Sequence, residues 1–85
     1  MTPEQLAAEL ARAGVDEVDA SSRRRAEYST DASNYRVVPA VVAFPRSTDD
    51  IAAALSVARN TGVALTARGA GTSIAGNAVG PGIVL

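Results

Sequence analysis

Apolar residues return at helical spacing near the start of the chain, at Leu6, Ala7, Leu10 and Ala13. Thr2 lies directly before Pro3 and three residues before Gln5, a capping box with proline at the first helical position. The spacing predicts one short amphipathic helix over residues 3–13, closed by Gly14, which suits a left-handed C-terminal position. Its stripe is thin and mostly alanine, so it reads as a docking or edge helix.

From Val15 to Arg36 the periodicity disappears and polar residues take over, which predicts loop or irregular structure. The run Arg23-Arg24-Arg25 could meet phosphate, but acidic residues flank it on both sides, and a short charge run of this kind is ordinarily a solvated face. The stretch Asp31 to Arg36 places small hydroxyl and amide side chains and a tyrosine just before an apolar strand. Such residues line a site or cap a turn, and the pattern alone leaves both open.

Val37 to Pro45 is short, β-branched and continuous, as expected of a strand buried on both faces with prolines at its rims. Ser47 is the N-cap of a second helix, with Asp49 and Asp50 in the first turn where the helix dipole favours negative charge. Ile51, Ala54, Leu55 and Ala58 form its predicted buried stripe, and Gly62 its end. A second strand is predicted over Val63–Ala67 and a third begins at Ile83–Leu85, where the apolar run breaks off as if cut in mid-strand. Strand, helix and strand in this order form a βαβ unit, so the strands near 38–43 and 63–67 are expected to be parallel neighbours. The expected fold class is α+β, with residues 1–36 as an N-terminal helix and polar linker and residues 37–85 expected to be the first half of a larger domain.

Composition narrows the chemistry. The 85 residues hold no cysteine and no histidine, which removes disulfides, the usual zinc sites, thiol catalysis and every scheme that needs an imidazole. Net charge is −1 and the aromatic rings are Tyr28, Tyr35 and Phe44, a poor match to a nucleic-acid surface, which needs basic excess and stacking platforms. No apolar run approaches the roughly 18 residues of a membrane span, and no charged and then apolar leader opens the chain. The expected location is cytoplasmic, or peripheral to a membrane for a longer form. No metal site and no catalytic residue is expected within the chain.

Five of the seven glycines fall between Arg68 and Gly82, in Arg68-Gly69-Ala70-Gly71-Thr72-Ser73-Ile74-Ala75-Gly76-Asn77-Ala78-Val79-Gly80-Pro81-Gly82. Glycine lets backbone N–H groups converge on phosphate oxygens with no Cβ in the way, and Thr72 and Ser73 add hydroxyl donors. A Walker loop is excluded because the chain has no lysine to reach the phosphates. The dinucleotide fingerprint fits at Gly69 and Gly71 and fails at Ile74, and the segment follows the second strand rather than the first. A glycine-rich hairpin that binds nothing remains the alternative.

The stretch from Tyr28 to Leu85 resembles the start of the FAD-binding domain of the vanillyl-alcohol oxidase and p-cresol methylhydroxylase type of flavoprotein. The motifs that carry the resemblance are Tyr28-Ser29-Thr30-Asp31-Ala32-Ser33-Asn34-Tyr35, Pro39-Ala40-Val41-Val42-Ala43-Phe44-Pro45-Arg46-Ser47, and Arg68 to Gly76. Within that family it is most similar to the D-2-hydroxyacid dehydrogenase and glycolate oxidase FAD-subunit branch, and to its large members with a C-terminal iron–sulfur region. The resemblance implies FAD as cofactor, with Arg68, Gly69, Ala70, Gly71, Thr72 and Ser73 around the diphosphate and Gly76 and Asn77 continuing towards the flavin. Some relatives tether FAD through a histidine where this chain has Thr72, so the FAD implied here is non-covalent. It further implies that a longer protein oxidises a small D-2-hydroxyacid such as lactate, glycolate or 2-hydroxyglutarate and passes electrons to another carrier. The rival expectations are an inactive fragment with no ligand and a flavin-dependent alcohol or sugar oxidase on the same fold. These 85 residues alone are expected to bind FAD poorly.

Overall fold

Thr2 caps α1 (Pro3–Arg12) reciprocally: its hydroxyl accepts from the Gln5 amide at 3.1 Å, and its own amide donates to Gln5 Oε1 at 2.8 Å. The computed structural model describes residues 1–32, 36–69, 71 and 78–85. Through Leu6 and Leu10, both buried, α1 contributes to the main core despite its thin stripe. Leu10 is fully buried, which contributes on the order of 1.5–3 kcal/mol.

The region 15–36 is more ordered than its sequence predicts. It holds the short strand β1 (Val18–Asp19) and the six-residue helix α2 (Ser22–Glu27), capped by Ser21, whose hydroxyl accepts from the Arg24 amide at 3.2 Å. Helix α2 buries no residue, so it has no apolar stripe for a periodicity argument to find. Tertiary contacts hold these pieces instead. Arg25 Nε donates to the Pro39 carbonyl at 2.8 Å, the Phe44 amide donates to the Glu17 carbonyl at 2.8 Å, and the Arg24 guanidinium lies 5.3 Å from the Phe44 ring centre.

Of the strand predicted over Val37–Pro45 only β2 (Val41–Ala43) forms; it is buried throughout, as the continuous apolar run predicts, whereas Val38 is exposed. α3 (Thr48–Thr61) starts at Ser47, whose hydroxyl accepts from the Asp50 amide, and ends at Gly62 with φ 72°, as predicted. Its buried face differs from the predicted stripe. Ala54 and Ala58 are buried together with Val57 and Asp50, whereas Ile51 and Leu55 are 41% and 48% exposed. The buried carboxylate stays on this face because Asp50 Oδ2 accepts from the Arg46 amide at 3.0 Å and lies 3.5 Å from Arg46 Nε. Arg46 also reaches Asp16 at 2.8 Å, tying the turn after α1 to the start of α3. First Asp16 and then Asp50 raise its pKa above the ordinary guanidinium value.

The strand order corrects the expected neighbours. β3 (Leu65–Thr66) and β4 (Ile83–Val84) complete a sheet ordered β1-β2-β4-β3, so β4 lies between the two strands expected to be adjacent. β2 and β3 are both parallel to β4, with Val41 and Leu65 each opposite Ile83, while β1 runs antiparallel to β2. The reason is burial. Ile83 and Val84 are fully buried, which suits the sheet centre, while both β3 residues are only half-buried, which suits an edge. Backbone bonds fix β4 on both sides, from Ala40 to the Gly82 carbonyl at 2.9 Å and from Ile83 to the Ala64 carbonyl at 2.8 Å. Val41, Ala43 and Ile83 join α1 and α3 in one core, while Val42 and Val84, on the other face by strand alternation, are buried as well.

Candidate functional site

The three parallel strands end together, and an open cleft of about 350 Å3 lies at that end. Val42 to Pro45 and Leu85 supply its floor from β2 and β4, and Tyr28, Arg68 and Gly69 stand at its walls. Crevices outside the carboxyl ends of parallel strands are where ligands of open α/β sheets ordinarily bind. Tyr28 meets Phe44 edge-on, with ring centres 5.9 Å apart, giving the cleft a rigid aromatic side.

The glycines after β3 divide by purpose. A Cβ on Gly82 would collide with the Ala64 carbonyl and the Val63 side chain, and one on Gly80 with the Thr66 hydroxyl. These two therefore let β4 approach β3 and have no need of a ligand to explain them. Gly71 has φ 72°, and its missing Cβ would overlap the Arg68 guanidinium, so geometry inside the chain requires glycine there too. Gly69 is the exception. It lines the cleft, lies outside the left-handed region, and a Cβ built on it meets no protein atom within 4 Å. Among the described residues no atom fills the Cβ position at 69 and no backbone angle demands glycine there.

Of the remaining residues expected at the site, Ala70, Thr72, Ser73, Gly76 and Asn77 lie outside the described residues. Arg68 is at the cleft, but its Nη1 already donates to the Thr30 carbonyl at 2.7 Å and the Ala78 carbonyl at 3.2 Å, and its guanidinium lies 5.1 Å from the Tyr28 ring centre. Tyr28 and Phe44 are cleft residues that residue-level reasoning did not single out: Phe44 reads as part of a strand, and Tyr28 stands out only through the motif that begins with it. The side chain of Asp31 accepts from the Ala78 amide at 3.2 Å, joining a polar segment before β2 to the chain just before β4.

The arginine run lies around a second, polar hollow of about 270 Å3 formed by Asp19, Ser21, Arg23, Arg24 and Glu27. Its charges pair with each other: Arg23 with Glu27 at 3.4 Å, and Arg24 with Glu27 at 3.2 Å and Asp19 at 3.5 Å. Arg23 is the solvated residue expected of such a run, whereas Arg24 and Arg25 are half-buried and Arg25 turns to the Pro39 carbonyl. Hydrogen bonds from Ser21, and then Arg24, hold the Asp19 carboxyl below its ordinary pKa of 3.8. A carboxyl with a lowered folded pKa stabilises the fold above its unfolded value and loses that contribution as pH falls through the folded one. Asp19→Asn should therefore flatten the fall in melting temperature below about pH 4. Equal acid slopes in the two proteins would contradict the assignment. Among the described residues no group of three carboxylates could hold a metal ion, and no helix is long and apolar enough to cross a membrane.

A dinucleotide diphosphate needs backbone N–H groups that it can approach and a nearby positive field. Gly69, with no side chain in the way, and Arg68, with its positive charge, both line the cleft at the strand ends, so the described residues are compatible with such a group.

Comparison with known proteins agrees. Residues 39–85 match the family model described as FAD binding domain. Over 64 residues the chain is 41% identical to D-2-hydroxyglutarate dehydrogenase of Escherichia coli K12, a match covering 72% of this chain and 6% of that protein. Among solved structures, Physcomitrella patens BBE-like 1 superimposes with a TM-score of 0.76 at 22% identity, covering 99% of this chain and 18% of that one. A variant of the same moss protein matches equally well. The chain thus spans a small part of the length of each relative. With the family model matching more than half of its residues, the chain belongs to the FAD-binding domain family of the p-cresol methylhydroxylase and vanillyl-alcohol oxidase type.

Proposed function

We propose that this chain is the opening part of an FAD-dependent oxidoreductase, in which the backbone after β3 binds the FAD diphosphate without a covalent tether. The observation that carries the reading is Gly69, a glycine at the strand ends that no contact or backbone angle among the described residues explains. Gly69, Gly71 and the intervening Ala70 would offer backbone donors, Thr72 and Ser73 hydroxyls, and Gly76 and Asn77 the continuation towards the flavin. Threonine at 72 offers no imidazole for a flavin bond. The bound flavin would accept a hydride, while the protein positions it and shapes its electrostatics.

The substrate in this reading is a small D-2-hydroxyacid, which loses two electrons and two protons to become the 2-oxoacid, the electrons passing to a separate acceptor. Support comes from the 41% identity to D-2-hydroxyglutarate dehydrogenase. The test uses the complete encoded polypeptide, purified with FAD under anaerobic conditions. D-2-hydroxyglutarate, D-lactate or glycolate should bleach the flavin, and acid precipitation should release the flavin into the supernatant. Bleaching only by an alcohol or sugar would replace the substrate class, and no flavin retention would overturn the reading. The 85 residues alone should retain little FAD, because ordering each loop residue costs about 1–2 kcal/mol and a four-stranded sheet with open edges at β1 and β3 supplies few neighbours to offset it.

A further inference from the structure

The contacts of Arg68 are unexpected for a simple phosphate ligand. One guanidinium nitrogen, Nη1, bridges two carbonyls from distant parts of the chain, Thr30 and Ala78. The guanidinium lies over the Tyr28 ring, and its far side occupies the space a Cβ would take on Gly71. A second link runs alongside, from the Ala78 amide to the Asp31 carboxylate. The segment providing these partners is itself fixed. Ser29, 1% exposed, donates from its hydroxyl to the Ala26 carbonyl at 2.7 Å and accepts from Arg36 Nε at 3.3 Å, and its carbonyl accepts from the Val37 amide at 2.9 Å. Thr30 and Arg36 form an isolated antiparallel bridge.

We infer that Tyr28, Asp31 and Arg68 are positioning residues that clamp Gly71 and Ala78, at the two sides of the glycine-rich segment, onto the Tyr28–Asp31 strip, so that cofactor affinity depends on residues preceding the matched domain. The inference rests on the FAD-binding reading above. Its physical basis is preorganisation: Gly69, Gly71 and Gly76 make this segment costly to order, and contacts formed before the cofactor arrives remove part of that cost from binding. The planar fork and stacking face of arginine suit the clamp, and a lysine ammonium retains the charge without either. Arg68 acts in this arrangement through the backbone it holds, with its charge a secondary contribution at the cleft.

The test compares Tyr28→Leu, Tyr28→Phe, Arg68→Lys and Asp31→Ala in the complete polypeptide, reading FAD affinity by flavin fluorescence at two salt concentrations. It also reads hydrogen exchange of the flavin-free protein in the peptide carrying the Ala78 amide. Tyr28→Leu and Arg68→Lys should each weaken FAD by about tenfold with the salt dependence retained, and Tyr28→Phe should restore affinity to within about twofold of wild type. Asp31→Ala should speed exchange at Ala78 without FAD present. Arg68→Lys binding like wild type would mean that the charge alone matters, and would overturn the clamp. Unchanged exchange in Asp31→Ala would do the same even if the polypeptide bound no flavin. Absence of flavin binding by the wild type with faster exchange in Asp31→Ala would support the clamp and remove only the FAD reading.

Discussion

Gly69→Leu should weaken FAD binding by the complete polypeptide by about 100-fold or more while leaving the flavin-free fold intact. The two halves of this expectation have separate causes. A Cβ at 69 meets no atom of the described residues within 4 Å and the backbone there is not left-handed, so the branch point of a side chain is accommodated there. Replacing glycine also reduces the entropy of the unfolded chain, which at a compatible position stabilises by about 0.4–1 kcal/mol. The same side chain would stand where the diphosphate must approach the backbone, and losing two charge-assisted hydrogen bonds of about 1.5–3 kcal/mol each gives the 100-fold figure or more. Melting temperature and FAD titration on the same samples check it. A drop in both would mean that Gly69 serves the fold, and a drop in neither that the diphosphate binds elsewhere.

Gly82→Ala should do the reverse and damage the fold first. Its Cβ would meet the Ala64 carbonyl oxygen and carbon, which are backbone atoms of the neighbouring segment and cannot swing away. Because Gly82 opens the central strand and its carbonyl accepts from Ala40, the strain reaches both of its neighbours. Overpacking of this kind costs about 1–3 kcal/mol, and in a domain of this size each kcal/mol lowers the melting temperature by about 4–8 °C. A thermal melt of the variant should thus shift down by about 4–24 °C. No shift would mean that β4 does not press on Ala64 as described. The contrast with Gly69 separates two glycines that the sequence presents alike.

What the sequence could reveal follows the range of the interactions involved. Caps depend on neighbours three or four residues away, and Thr2, Ser47 and Gly62 all act where the residue pattern places them. Strand order depends on contacts across the chain. The apolar runs at Val41, Leu65 and Ile83 mark strands, yet nothing in them says that the last takes the centre, and only its complete burial explains why it does. Helix α3 shows the same limit, since Ile51 and Leu55 match the helical period as well as Val57 does, and the choice of Val57 was made by what α1 and the sheet present. At the site, the glycine-rich segment was legible as a phosphate-binding candidate, but the division of its glycines between strand packing and an open cleft was not. The resemblance puts Arg68 at the diphosphate. Two of its partners, the Thr30 carbonyl and the Tyr28 ring, lie about 40 residues back in the chain, beyond the reach of any local pattern.

The central claim is that the backbone between β3 and β4 holds the FAD diphosphate at the strand ends. An experimental structure of the complete polypeptide with FAD bound tests it most directly. The account predicts diphosphate oxygens about 2.7–3.2 Å from the Gly69 or Gly71 amide nitrogen, at the cleft bounded by Tyr28, Phe44 and Leu85. A diphosphate bound away from both amides, whether against the Arg23 and Arg24 hollow or elsewhere on the protein, would contradict it.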